Sequence, residues 1–274
     1  MKSRLITLLT FFASITAPAQ EVNGSDPIDF ADAKVKEICV ANWDTNGDGE
    51  LSYDEAAAVT ELGEVFRESK ITSFNELRYF TGLTSIGDEA FYNCYMTSIT
   101  IPENVNSIGN DAFYGCDNIT SITVVANNPV YDSRNDCNAI IETASNTLIV
   151  GFRNTEIPES VTSIGQKAFY YRYLTSITIP SSVTNIGYRA FSGCSHLTSI
   201  TVAANNPVYD SRNDCNAIIE TASNTLIAGC MNTTIPESVT IIGGGAFQYC
   251  TQLKSITIPE SVTTIGGGAF ASCI

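Results

Sequence analysis

The sequence predicts a β-rich solenoid of stacked 22–23-residue units, two of them longer, preceded by a small α-helical cap. Three observations lead to this fold class. Residues 121–151 and 199–229 are identical at 29 of 31 positions, and residues 30–43 show helical spacing of apolar residues. The pattern Ile-Gly-x-x-Ala-Phe occurs six times, ending at Phe91, Phe113, Phe169, Phe191, Phe247 and Phe270. Repetition at such a period is typical of stacked repeats, in which each unit buries its apolar side against the next.

The spacing of residues within each unit predicts a short strand followed by a bend. Leu174, Ile177 and Ile179 place apolar side chains inward, and the Ser and Thr between them favour β structure and face outward. Pro180 ends the strand because proline cannot donate to a ladder. The Ile-Gly-x-x-Ala-Phe pattern then turns the chain and fills the core. The same strand spacing recurs at Leu197, Ile200 and Val202, and at Leu253, Ile256 and Ile258.

Two units carry an insertion that predicts a β-hairpin. Each contains two apolar, β-prone runs around a four-residue polar turn, at residues 138–151 and 216–229. The insertions either only widen the solenoid or form binding loops, since inserted segments in repeat arrays map to loops on one face.

The repeated pattern L-x-x-I-x-I-P-x-S-V-x-x-I-G-x-x-A-F-x-x-C resembles the BspA-type leucine-rich repeats of bacterial surface and secreted proteins. The resemblance covers residues 71–274. It implies an externally displayed solenoid associated with adhesion to host matrix proteins and with co-aggregation, an origin in Bacteroidota, and no catalytic residues. The sequence stops where another strand would begin, so we expect a solenoid without a C-terminal cap, either truncated or with an open last turn.

The N-terminus predicts export. Lys2 and Arg4 precede an apolar run from Leu5 to Ala17, and the small residues that follow predict cleavage after Ala19. Residues 1–19 are therefore assigned to a signal peptide and 20–27 to a linker. The run is too short to span a membrane. After cleavage, 12 basic residues stand against 29 acidic ones, a formal charge of −17 that disfavours nucleic acid as a partner.

Residues 44–55 match the twelve-residue EF-hand loop, inside a predicted helical segment 28–70 whose second helix runs over residues 55–62. Calcium is the predicted cofactor, because the pattern supplies hard oxygen donors at the diagnostic positions. The predicted ligands are the side chains of Asp44, Asn46, Asp48, Ser52 and Glu55 and the backbone carbonyl of Glu50.

This loop leaves three interpretations open. An acidic turn without metal is one of them. A single EF-hand loop without a second one beside it predicts weak calcium binding, with a dissociation constant around 10⁻⁴ to 10⁻³ M. Its role would then be structural, in ordering the cap. A dockerin-like docking role is the remaining alternative, although the missing second loop argues against it.

The nine cysteines are predicted to be buried free thiols. Five of them follow a Phe by three residues, so they share one phase of the repeat, and Arg172 stands where another copy should have Cys. Cysteines fixed to a repeat phase are more often small core residues than disulfides.

No catalytic site is predicted. The single histidine, His196, excludes a two-histidine metal site, and no nucleophile elbow or phosphate-binding glycine loop is found. The glycine runs at 243–245 and 266–268 fall inside the repeat pattern, which assigns them to the bend.

The predicted partner is an extracellular host matrix protein or glycan, bound by a monomer at the cell surface. The strand face offers only a ladder of Ser and Thr, without the aromatic and Arg anchors that concentrate binding energy. The candidate anchors are Tyr131 with Arg134 and Tyr209 with Arg212, in the two longer units. The alternatives are a passive spacer array without a dedicated ligand and, more remotely, a hydrolase accessory protein.

Overall fold

The computed structural model describes residues 23–273, so the predicted signal peptide lies outside the described residues. Two α-helices come first, α1 Ala33–Trp43 and α2 Tyr53–Ala58. Short 3₁₀ helices cover Asn75–Tyr79, Arg134–Asp136 and Arg212–Asp214. None of the helices in this part of the chain is long and apolar enough to cross a membrane.

The rest of the described chain winds through short strands. In chain order they are β1 Ser85–Ile86, β2 Ser98–Ile101, β3 Ser107–Ile108, β4 Ser121–Val124, β5 Tyr131–Asp132, β6 Ala139–Glu142, β7 Thr147–Gly151, β8 Ser163–Ile164, β9 Ser176–Ile179, β10 Asn185–Ile186, β11 Ser199–Val202, β12 Tyr209–Asp210, β13 Ala217–Glu220, β14 Thr225–Gly229, β15 Ile241–Ile242 and β16 Thr264–Ile265.

Strands of successive turns pair in parallel, which confirms the β-solenoid. The four-residue strands pair in register as β2 with β4 and β9 with β11, so that Ser98 lies opposite Ser121 and Ile99 opposite Ile122. The two-residue strands before the Gly form the second ladder, as β1 with β3, β8 with β10 and β15 with β16. Alternate residues of β4 and β9 are buried and exposed, as the Ile/Thr alternation predicts.

Both predicted hairpins form. β6 pairs antiparallel with β7, and β13 with β14, around turns at residues 143–146 and 221–224. Each hairpin joins the solenoid because its second strand pairs in parallel with the next turn, β7 with β8 and β14 with β15. The insertions therefore extend the sheet rather than leaving it as free loops.

The core contains phenylalanine rings that stack in pairs between neighbouring turns, and we call this array the core column. Phe91 stacks on Phe113 with centroids 5.5 Å apart, Phe169 on Phe191 at 5.2 Å, and Phe247 on Phe270 at 5.0 Å. Stacking of identical rings from neighbouring turns buries a large apolar area in a fixed geometry. The nine cysteines are free and eight are buried, as the repeat phase predicts.

Three boundaries differ from the sequence prediction. Residues 255–258 form no strand, because no following turn among the described residues pairs with them, and Ile258 is exposed. Helix α2 ends at Ala58, short of the predicted residue 62. After Ala58 the chain packs on the first turn instead. The Leu62 N–H donates to the Ser85 carbonyl, and Phe66 stacks on Phe91. The stacked turns thus begin before residue 71.

Candidate functional site

The loop predicted to bind calcium lies between α1 and α2. Asp44 caps the C-terminal end of α1, and Ser52 caps the N-terminus of α2 by accepting from the Glu55 N–H. Glu55 completes a capping box by accepting from the Ser52 N–H at 2.9 Å. Gly47 and Gly49 have φ of 76° and 84°, conformations that an L side chain adopts only with strain. The sequence therefore folds locally into a helix–loop–helix.

Side-chain oxygens within the loop accept bonds from its own backbone. The Asp44 carboxylate accepts from the N–H groups of Gly47 at 2.7 Å and Gly49 at 2.9 Å. Asn46 Oδ1 accepts from the Asp48 N–H at 2.7 Å, and Asp48 Oδ1 from the Glu50 N–H at 2.9 Å. These bonds use the side-chain oxygens of Asp44, Asn46 and Asp48 to hold the backbone turns of the loop.

Glu55 ties the two ends of the loop together. One carboxylate oxygen accepts from the Ser52 N–H, and the other accepts from the N–H groups of Thr45 at 2.8 Å and Asn46 at 3.2 Å. The bond from the Ser52 backbone, aided by those from Thr45, lowers the pKa of Glu55 to about 2. Glu55 is thus held ionised at the position where the EF-hand pattern requires a bidentate carboxylate.

The six predicted ligands all belong to this one loop, and their chemistry is all oxygen, the donor type that Ca²⁺ takes. The Glu50 side chain points away to Lys36, at 2.8 Å, which leaves its carbonyl for the role predicted. Among the described residues, however, no three His, Cys, Asp or Glu side chains converge closely enough to hold a metal. The loop is bonded to itself, so a bound cation would have to replace some of these internal bonds.

The helical segment packs against the first turns. Residues 26–28 pair with the loop, since the Ile28 N–H donates to the Leu51 carbonyl at 2.8 Å and the Tyr53 N–H to the Asp26 carbonyl at 3.2 Å. Asp32 accepts from the Thr72 N–H at 2.7 Å, and Trp43 contacts the ring of Phe80 with centroids 5.5 Å apart. The segment therefore covers the N-terminal end of the core column.

The structure does not expose the predicted tyrosine anchors. Tyr131 and Tyr209 are only 7% and 5% exposed, so the expectation that their rings face a partner is wrong. The reason is local: Asn128 Oδ1 accepts from the N–H groups of Val130 and Tyr131, and this side-chain turn directs the ring inward. Asn206 does the same for Tyr209, at 2.8 Å.

The two arginines predicted beside them hold the hairpins. Arg134 pairs with Asp132 and donates to Asn146 Oδ1 at 2.8 Å, and Arg212 pairs with Asp210 and donates to Asn224 Oδ1 at 2.8 Å. Each bridges the segment before the hairpin to the hairpin turn. Partner binding by Arg134 and Arg212 stays a prediction.

The structure contains a cleft that the sequence did not predict, and it runs along one edge of the solenoid. It has a volume of about 700 Å³ and is formed mainly by the segments that lead into the four-residue strands. We call it the cross-rung cleft and define it by Tyr95, Asp117, Asn118, Arg153, Tyr173 and His196. Tyr95 is 50% exposed and Tyr173 48%, and the Tyr173 ring stacks on His196 with centroids 4.5 Å apart.

A buried arginine lies beside the charged residues of this cleft. Arg172 is 6% exposed; its Nη1 donates to the Phe113 carbonyl at 2.8 Å, and its guanidinium lies 4.9 Å from the Phe152 ring centre. Burial raises the pKa of Asp117, and the positive charges of Arg172 and Arg153 oppose that rise. Buried charges are costly in a repeat core, which ordinarily takes apolar or small residues.

One signal in the sequence could have located the cleft. Pairs of units repeat every 78 residues, from Phe91 to Phe169 to Phe247, and we call this period the super-repeat. Tyr95 and Tyr173 stand at the same position of it, where Thr251 stands in the next copy. Searching for aromatic residues at equivalent positions directly before the strands would have found them. Arg172, which stands where the repeat has Cys, marks the same place.

The parallel ladders, the phenylalanine column and the repeated bend define the chain as a leucine-rich-repeat solenoid. It belongs to the BspA-type family: the pattern described as "BspA type Leucine rich repeat region" matches in six copies, over residues 63–137, 139–221 and 227–274. No curated protein matches the sequence.

Several solved structures are similar. A leucine rich cell surface protein from Faecalibacterium prausnitzii A2-165 is 28% identical, with a TM-score of 0.42, over 69% of this chain and 62% of that one. A leucine-rich repeat protein from Eubacterium ventriosum ATCC 27560 is 24% identical, with a TM-score of 0.44, over 70% and 63%. The pneumococcal vaccine antigen PcpA is 19% identical, with a TM-score of 0.43, over 71% and 42%. This chain spans less than two thirds of each of them.

Proposed function

We propose that the protein is an exported, non-catalytic adhesion module that binds an extracellular host protein or glycan through the cross-rung cleft. The observation that carries the proposal is the pair of half-exposed rings, Tyr95 and Tyr173, in one cleft. Exposed aromatic residues in a concave surface concentrate binding energy, because they bury a large area with few rotatable bonds. Elsewhere the strand face presents Ser and Thr.

The geometry of His196 supports a binding role over a catalytic one. Its ring lies against Tyr173, so one face is covered and the other extends the aromatic surface. The polar neighbour of the ring is Ser195 Oγ, 3.2 Å from Nδ1, on the adjacent residue of an exposed turn. A general base needs a partner that fixes its tautomer and aims it at a nucleophile. His196 instead serves as part of a stacking platform.

Calcium has a separate, structural part in the proposal. The loop at residues 44–55 joins α1 to α2, and this segment packs on Phe80 and Thr72 of the first turns. A cation bound by Asp44, Asn46, Asp48, Ser52, Glu55 and the Glu50 carbonyl would stabilise that cover. We propose that it protects the N-terminal end of the solenoid and leaves the cleft itself unchanged.

The test is binding of residues 20–274 to a panel of matrix proteins, mucins and glycans, with calcium and with chelator. We expect saturable binding to one member that the double variant Y95A/Y173A loses. Tyr188, 55% exposed outside the cleft, gives the matched control Y188A, which should bind normally. Binding unaffected by Y95A/Y173A would refute the cleft, and a panel without any binding by a folded sample would favour the passive spacer.

A further inference from the structure

The cross-rung cleft runs along the solenoid rather than into it. Its lining comes from successive parts of the chain: Lys70 precedes the first 3₁₀ helix, Arg153 follows β7, and Tyr95, Asn118, Tyr173 and His196 lie in the segments before the four-residue strands. Along the cleft, β2 pairs with β4 and β9 with β11, at the ~4.8 Å spacing of neighbouring strands, so the lining residues of each pair are one such step apart. A site of this shape suits an extended ligand made of similar units better than one compact molecule.

The side chains that line the cleft suit a polar ligand with small apolar faces. Besides Tyr95, Tyr173 and His196, the cleft presents planar amide, carboxylate and guanidinium groups, on Asn93, Asn118, Asp117, Glu68 and Arg153. It contains no Val, Leu, Ile or Met among the described residues. A protein partner would bring apolar anchors that need an apolar pocket, and this lining offers none.

The charges in the cleft balance. Glu68 and Asp117 stand against Lys70 and Arg153, and the whole chain carries −15 at neutral pH. A locally neutral site inside an acidic protein favours an uncharged ligand, because the overall field repels polyanions. The cleft is therefore unsuited to nucleic acid or to strongly acidic polysaccharides.

The cleft is also where the super-repeat departs from its own copy. Seventy-eight residues later, Asp117 becomes Ser195, Arg153 becomes Met231, Arg172 becomes Cys250 and Tyr173 becomes Thr251, although the intervening hairpin regions are nearly identical. The side chains of Arg153 and Tyr173 lie on the surface, so the packing of the turns does not require them.

From these observations we propose that the ligand of the cross-rung cleft is a neutral oligosaccharide. This inference rests on the proposed function, since it names the ligand class of that same site. The rings of Tyr95, Tyr173 and His196 present negative faces to the polarised C–H groups of pyranose rings. Asp117, Arg153 and the two asparagines form paired hydrogen bonds with neighbouring hydroxyls, and those to charged groups are the stronger ones.

The experiment is calorimetric titration of residues 20–274 with cellotetraose, mannotetraose and chitotetraose, and with tetragalacturonic acid as the charged comparison. We expect at least one neutral tetrasaccharide to bind, and Y173A to weaken its binding about tenfold. D117N should weaken it further, and the control Y188A should leave it unchanged. Because Tyr173 is half exposed, Y173A is expected to keep the thermal midpoint of the wild type.

Other results overturn the inference and separate it from the proposed function. If no neutral sugar binds, or only tetragalacturonic acid does, the ligand class is wrong. A third result is that none of the sugars binds, but a matrix protein does and Y173A abolishes its binding. The cleft is then an adhesion site for protein, and only the sugar assignment fails. If a neutral sugar binds equally well to Y173A, it binds elsewhere, and the inference fails.

Discussion

Arg172 Nη1 donates to the Phe113 carbonyl at 2.8 Å, in the place where other turns use a cysteine thiol. Cys116 Sγ contacts the Phe91 carbonyl at 2.8 Å, and Cys194 Sγ the Phe169 carbonyl at 3.0 Å. Between Phe113 and Phe169 the chain inserts a hairpin, which separates the two turns. The longer arginine spans that gap, and Cys250, at the equivalent later position, makes no such bond within the described residues.

Replacing Arg172 by Ala should therefore lower the free energy of unfolding by about 2 kcal/mol, because it leaves the Phe113 carbonyl without its donor. Urea denaturation measures the change. The matched control is R153A, whose side chain is exposed and should change stability little. Equal effects of the two substitutions would show that Arg172 does not join the turns.

Gly151 should not tolerate a side chain. A Cβ there would overlap Cε1 of Phe169, whose ring belongs to the core column. We expect G151A to lose about 1–3 kcal/mol of stability through overpacking. A Cβ at Gly267 would meet no other atom within 4 Å, so G267A is the control and should leave stability unchanged. Equal stability of G151A and the wild type would mean that the ring moves aside without cost.

Calcium should raise the thermal midpoint of the wild type and not of E55Q. With a dissociation constant of about 10⁻⁴ to 10⁻³ M, 10 mM calcium stabilises the folded state by about 1.4–2.7 kcal/mol. The control is E50Q, because Glu50 offers only its carbonyl and its side chain pairs with Lys36 at the surface. Differential scanning calorimetry with calcium and with chelator measures both. A calcium shift that persists in E55Q, or is absent from the wild type, contradicts the ligand assignment.

Without calcium, the cap should weaken in acid. Backbone bonds lower the pKa of Glu55 to about 2 from its usual 4.5, so its stabilising contribution is complete above pH 4.5. It is lost as the pH falls from 4.5 towards 2. Tryptophan fluorescence of Trp43, which packs on Phe80, reports the cap. E55Q should flatten this part of the pH profile, and an identical slope in E55Q would assign the acid transition to other carboxylates.

The thiols should be almost unreactive in the folded protein. Burial raises the pKa of Cys116 and of Cys194 to about 12, so little reactive thiolate exists at pH 8. Cys273, which is less buried, should react with a disulfide reagent first. All nine should react in guanidinium chloride. Rapid reaction of several thiols in the native protein would contradict the packed core.

The sequence alone determined the repeat, both hairpins and the strands other than that predicted near residues 255–258, because apolar residues at fixed spacing can be buried only by stacking equal turns. It also determined the backbone turn of the loop at residues 44–55, which depends on the positive φ of Gly47 and Gly49. Calcium binding by this loop stays a prediction. These features follow from local spacing and from residues whose conformation is restricted.

Only the tertiary structure decided which aromatic residues are accessible. Tyr131 and Tyr95 both lie next to polar turns in the sequence, yet Tyr131 is buried by the Asn128 turn and Tyr95 stays half exposed. The cross-rung cleft joins residues more than 100 positions apart, from Lys70 to His196. The stacking of successive turns brings them together, and the sheet spacing, which no single unit encodes, sets the distances between them.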